Sequence, residues 1–143
     1  MKILLDNNAI DLVQKHWDNI EPLKEKHNFF ISPSCLEELA NMPDQKIENR
    51  IKNLIYLVKL SPTFLLDSVF VFGYSCLGCA CFGKCEIYYK ILNQSKSNIR
   101  DAILADTAYT NECYLLTNDK TLYNKMKSLN LKVITFEELI NME

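Results

Sequence analysis

Short apolar runs alternate with helical stripes along almost the whole chain, and this alternation narrows the fold more than any other feature. Lys2 to Leu5 (KILL) is too short for a helix and is closed by Asp6. Ala9, Ile10, Leu12 and Val13 then mark a helical face running to about Trp17. Phe29 to Ile31 is a second strand candidate. It leads into Ser32-Pro33-Ser34, where Pro33 suits a first helical position and Ser34 with Glu37 has capping-box spacing. Ile47, Ile51, Leu54 and Val58 recur at i, i+4, i+7 and i+11, the pattern of an amphipathic helix whose Lys46, Glu48, Arg50 and Lys52 face water. The last third repeats the rhythm: helix over Ile99 to Thr110, strand over Cys113 to Thr117, helix over Thr121 to Leu129, strand over Lys132 to Thr135. Thr135 and Glu138 then cap a final helix. Strands alternating with helices predict an α/β fold of three layers, with a mainly parallel central sheet covered on both faces.

At 143 residues the chain reads as a single domain, 1–143, able to bury a core without staples. Thr63 to Leu92 breaks the rhythm. It is rich in Phe, Val, Tyr and Cys and holds all three glycines, Gly73, Gly78 and Gly83. It reads as an insertion, with Phe64–Tyr74 and Glu86–Leu92 forming a β-hairpin that carries cysteines at its tip. The longest uncharged run, Ser68 to Gly83, falls short of the roughly 20 apolar residues of a spanning helix, so no membrane segment is expected. Asp6 interrupts any signal-peptide core, and six cysteines without such a signal suit a reducing cytoplasm. A net charge of -2 excludes a polycationic nucleic-acid binder.

In a parallel sheet the site lies at the carboxyl ends of the strands. Asp6 closes the first strand and Asp119 follows CYLLTN. Glu38 lies in the helix after the second strand, and Asp101 near the start of its own helix. Four carboxylates from four remote segments would repel one another unless a cation sat between them. Mg²⁺ or Mn²⁺, hard ions with oxygen ligands, are the natural partners. Asp106 lies five residues after Asp101, about 140° further around a helix. It reads as an acid on the surface or behind the metal ligands.

These segments resemble the PIN-domain nucleases of the VapC-like toxin type. MKILLDNNAIDLV is similar to the family's opening strand and helix, with Asp6 as the acid, Asn8 as the following Asn, and Asn7 where Thr is usual. ISPSCLEEL is similar to the second motif and places its Glu at Glu38, Glu37 being the out-of-register alternative. DAILADTA is similar to the third, with Asp101 as the acid and Ile103 one position early. LLTNDKTLY is similar to the closing segment, with Asp119 as the acid and Thr117 and Asn118 beside it. The resemblance implies a metal-dependent endoribonuclease for single-stranded RNA, often the toxin of a toxin–antitoxin pair. It also implies an antitoxin partner and a homodimer. Asp6, Asp101 and Asp119 would hold the metal, Glu38 would complete its shell or orient water, and Asn8, Thr117 and Asn118 would position acids or substrate. Cleavage would leave a 5′-phosphate and a 3′-hydroxyl.

Cys76, Cys79, Cys81 and Cys85 form a candidate structural Zn²⁺ site, with small soft residues filling a turn or a dimer contact as the alternative. Cys35 and Cys113 read as core residues, and His16 and His27 as surface residues. The motifs of serine hydrolases, zinc proteases and phosphate-binding loops are absent from the sequence. A phosphoacceptor receiver domain would need an acid pair after the first strand, where only Asp6 stands. The competing functional reading is a catalytically silent PIN-like binding or assembly module acting through the apolar Cys-rich insertion.

Overall fold

Ile3, Leu4 and Leu5 are all fully buried, so the first strand has no solvent face and must lie inside a sheet covered on both sides. The computed structural model, which describes residues 1–93 and 99–142, places it at the centre. Five strands, β1 (Lys2–Leu5), β2 (Asn28–Ile31), β3 (Thr63–Phe64), β4 (Tyr114–Leu116) and β5 (Val133–Ile134), form one all-parallel sheet. Their order across it is β3-β2-β1-β4-β5. The helices are α1 (Asn7–Lys15), α2 (Trp17–Ile20), α3 (Pro33–Ala40), α4 (Ile47–Leu60), α5 (Glu86–Asn93), α6 (Ile99–Thr110), α7 (Lys120–Ser128) and α8 (Phe136–Asn141).

The expected α/β architecture is therefore present, and its strand order sets the position of the site. From β1 the chain steps outward to β2 and β3, then returns across β1 to β4 and continues to β5. The direction of winding reverses at β1 and β4, which opens a crevice outside their carboxyl ends. Ile3 pairs with Tyr114 and Leu5 with Leu116, so the residues following these two strands, Asp6 and Thr117, emerge side by side. Beneath them α6 is buried from Ala102 through Ala108, and Cys35 and Cys113 lie in the same core, as expected.

Four local expectations are corrected. The hairpin does not form: Thr63–Phe64 is the edge strand β3, and 86–93 is the helix α5. The β-prone composition of EIYYKILN is outweighed by its helical spacing, because Ile87, Tyr88 and Ile91 share one buried face. The Ser34–Glu37 capping box does not form either. Pro33 already occupies the first position of α3, which leaves Ser34 inside the first turn. Asp67 caps that turn instead, accepting the Ser34 amide at 3.2 Å and its hydroxyl at 2.7 Å. Asp106 is neither on the surface nor beside the other acids. It is 3% exposed and accepts from the Ser68 hydroxyl and from the amides of Ile87 and Tyr88, so it caps α5 from across the core.

The fourth correction concerns α4: Lys46, Glu48 and Lys52 face water as expected, but the apolar stripe does not face the core. Asn49 and Asn53 donate to Asp11 of α1 at 3.1 and 2.6 Å, and Leu57 and Leu60 are buried. This polar seam turns Ile47, Ile51, Leu54, Ile55 and Val58 outward, and Val58 is 77% exposed. An apolar stripe thus faces water where the sequence suggested a core contact.

Leu4→Ala should cost about 2–5 kcal/mol of unfolding free energy, because β1 is packed on both faces. Val58→Ala should change it by under about 0.5 kcal/mol. Urea denaturation of both variants checks the contrast.

Candidate active site

Asp6 acts first as a structural residue. It is the N-cap of α1, and its Oδ1 accepts the Asn7 amide at 2.6 Å. Its Oδ2 accepts the Thr117 hydroxyl, also at 2.6 Å. The same Thr117 oxygen receives the Asp119 amide at 3.0 Å, and the Asn8 amide group points at it from 3.5 Å. Asn8 Oδ1 in turn accepts the Asn118 amide at 2.9 Å. One buried hydroxyl therefore sits between two carboxylate-bearing segments, and Asn8 ties the loop after β4 to the start of α1. Asp119 is itself the N-cap of α7, with Oδ1 accepting the amides of Thr121 and Leu122.

Glu38 and Asp101 arrive from α3 and α6, the two helices held together by Arg100. The Arg100 guanidinium donates to the Ser34 carbonyl at 3.2 Å and lies 3.9 Å from Glu37. Burial pushes the Asp101 carboxyl up to about 6, and Asp6, Asp119 and Glu38 add to the rise while Lys125 opposes it. Burial likewise raises Asp6 to about 6. Its bonds from Thr117 and Asn7 pull it back, and Glu38 and Asp119 push it further up. All four sequence-identified acids thus lie close enough to repel one another.

The donor set is all carboxylate oxygen, the chemistry that suits a hard divalent cation. Asp101 accepts no hydrogen bond among the described residues, and only one oxygen of Asp119 is taken by its helix. Among the described residues no three His, Cys, Asp or Glu side chains are gathered tightly enough to enclose an ion as they stand, the four cysteines of the 76–85 segment included. The acids fit a cation in chemistry and in mutual repulsion, and a bound ion would draw them closer. A cavity of about 660 Å³ elsewhere on the surface is lined by none of the four. It lies against the amino ends of β4 and β5, beside Cys113 and Leu131.

Two contacts at the edge of the site were not legible in the sequence. Asp67 is 1% exposed, holds the first turn of α3, and is raised by burial despite its bonds from Ser34. Cys76 donates its S–H to Glu37 at 2.8 Å. Both belong to the segment after β3, where no periodic signal announces a contact with α3. The histidines stay outside the site: His16 stacks on Phe136, and His27 lies 3.2 Å from the terminal amine.

No protein-family model matches the sequence, and no curated protein matches it. Solved structures do. A chain of the VapBC2 complex of Rickettsia felis bound to a DNA fragment from its promoter superposes with a TM-score of 0.62 at 24% identity, covering 94% of this chain and 98% of that one. PAE2754 from Pyrobaculum aerophilum gives a TM-score of 0.66 at 19% identity, covering 99% and 97%. VapBC-1 from nontypeable Haemophilus influenzae gives 0.62 at 19%, covering 96% and 99%. The chain therefore shares its overall fold with these proteins, the fold that the resemblance of the sequence motifs implies.

The raised acids have a consequence for stability. Between about pH 4 and 6 the folded state holds protons that the unfolded chain has released, so stability contributed by Asp6 and Asp101 falls as pH rises through that window. In EDTA, Asp101→Asn should therefore melt higher than wild type at pH 7, and the gap should shrink towards pH 5. A gap that is absent at pH 7, or grows on acidification, contradicts the raised carboxyl.

Proposed function

We propose that this protein is a divalent-metal-dependent endoribonuclease that cleaves single-stranded RNA, and that it is the toxin of a toxin–antitoxin pair. The observation that carries the reading is the convergence of Asp6, Glu38, Asp101 and Asp119 at the winding reversal of the sheet, with Asp6 and Asp101 both pushed up to about 6. Asp6, Asp101 and Asp119 would hold Mg²⁺ or Mn²⁺, which when bound polarises a phosphodiester oxygen and acidifies a water. The chain does the rest. Thr117 fixes the Asp6 carboxylate by donating to Oδ2, and the Asp119 amide fixes Thr117. Among the described residues no hydrogen bond restrains Glu38, which leaves its carboxylate to orient the attacking water and accept its proton. Asn8 and Asn118 keep the loop after β4 against α1. In-line attack on phosphorus breaks the bond to the 3′ oxygen and yields a 5′-phosphate and a 3′-hydroxyl.

The toxin role draws on the similarity to the VapBC structures and on the exposed stripe of α4. Ile47, Ile51, Leu54, Ile55 and Val58 offer an amphipathic antitoxin segment, or a second copy of the chain, an apolar seat. No described helix is long and apolar enough to cross a membrane. A reducing cytoplasm is the compartment in which six free cysteines persist. A second reading, the silent binding module, rests on Phe72, Leu77 and Phe82, each about nine-tenths exposed in the Cys-rich segment.

Mn²⁺ at a hundredfold excess over its Kd should stabilise wild type by about 2.7 kcal/mol and leave Asp101→Asn unshifted. EDTA should abolish RNA cleavage. Thr117→Ala should lower metal affinity or cleavage about 10–100-fold, because it frees the Asp6 carboxylate to rotate. Wild-type thermal shift without any Mn²⁺ response would favour the binding module.

A further inference from the structure

The cysteine-rich segment reaches α3, one residue before Glu38, through the Cys76 thiol. Cys76-Leu77-Gly78-Cys79 is a tight turn closed by the Cys79 amide on the Cys76 carbonyl at 3.1 Å. Gly78 sits at φ +81°, the left-handed backbone that the third position of a type II turn requires. Such a turn holds its first and last Cα atoms within about 7 Å, and disulfides span Cα separations of about 4.4–6.8 Å. The two sulfurs are near enough that Cys79 acts electrostatically on the Cys76 thiol. Cys76 is exposed, and its only S–H donates to Glu37 Oε1. Glu37 precedes Glu38 on α3, and its other oxygen faces Arg100, which precedes Asp101 on α6. The turn is also stitched to Asp67, since the Asp67 amide donates to the Cys79 carbonyl at 3.1 Å and the Cys81 amide to the Asp67 carbonyl at 2.7 Å. Asp67 in turn caps α3 at Ser34.

We propose that Cys76 and Cys79 form a reversible disulfide that serves as a redox switch on α3, the helix bearing Glu38. A small disulfide is the oxidant. The Cys79 thiolate attacks one of its sulfurs and expels a thiolate, which leaves a mixed disulfide. The Cys76 thiol then loses its proton, attacks the Cys79 sulfur and expels the second small thiol. Two protein thiols are oxidised and one small disulfide is reduced to two thiols. A disulfide sulfur has no hydrogen to give, so Glu37 Oε1 loses its donor and α3 loses the contact that pins its middle to the segment. That the switched activity is RNA cleavage rests on the nuclease reading; the disulfide and the release of α3 do not.

The test incubates the full chain with mixtures of reduced and oxidised glutathione, traps free thiols, and maps disulfides by peptide mass. Hydrogen exchange of the α3 amides is followed in parallel. The expected result is a dominant Cys76–Cys79 bridge that dithiothreitol removes, with α3 amides exchanging several-fold faster in the oxidised form. Cys79→Ser, which keeps the Cys76 donor but removes its partner, should show no change under the same oxidant. Cys76→Ser, whose hydroxyl still donates to Glu37, should match it. A dominant bridge to Cys81 or Cys85, no bridge at all, or unchanged α3 exchange on oxidation would overturn the switch. Mn²⁺ titration of the reduced protein reports on the nuclease reading separately, because its failure leaves the disulfide map and the exchange data fully decisive.

Discussion

Burial of the Asp6 carboxylate is the constraint around which the rest is arranged. A carboxylate in a nearly dry position destabilises the fold unless hydrogen bonds or a cation offset its desolvation. Here a helix N-terminus and the Thr117 hydroxyl supply two bonds, one to each oxygen. They lower the cost without removing it, since the carboxyl still lies at about 6. Glu38 and Asp119 push it further up, the pattern expected if these acids serve the proposed chemistry. A fold built for stability alone would place an amide at such a position.

The sequence made the frame legible because each element obeys its own local rule. KILL and CYLLT read as strands because both are apolar and too short for helices, and both are buried. Asp6 and Asp119 were legible for a related reason: an acid at or just beyond the end of a buried strand sits where a parallel sheet puts its crevice. Glu38 and Asp101 needed the family resemblance as well, since nothing in their helical spacing alone distinguishes them from surface acids.

What the sequence hid is long-range and polar. The N-terminal turn of α3 is capped by Asp67 from 33 residues away along the chain. No window around ISPSCLEEL contains that information, whereas Ser34 and Glu37 offered a plausible local cap. Helical spacing turns Asp106 away from Asp101. What lies on that other side, the Ser68 hydroxyl and the bare amides of α5, belongs to a segment whose path was unknown. Likewise the apolar period of α4 is present but does not face the core, because Asp11 and two asparagines decide which face turns inward. Hydrophobic pattern alone cannot see a polar seam.

The segment between β3 and α5 is held at its start by two acids in a reciprocal way. Asp67 leaves the segment to serve the core helix α3, while Asp106 leaves the core helix α6 to serve Ser68 and the first amides of α5. Gly83 seals the arrangement, since any side chain there would collide with the Ser68 carbonyl. Grafting a shorter connection between β3 and α5 would therefore orphan a helix start on one side and a buried carboxylate on the other. Positions 67, 68, 83 and 106 should be gained or lost as one unit as the domain diversifies, so the length of this connection is inherited with its acids rather than drifting as surface loops do.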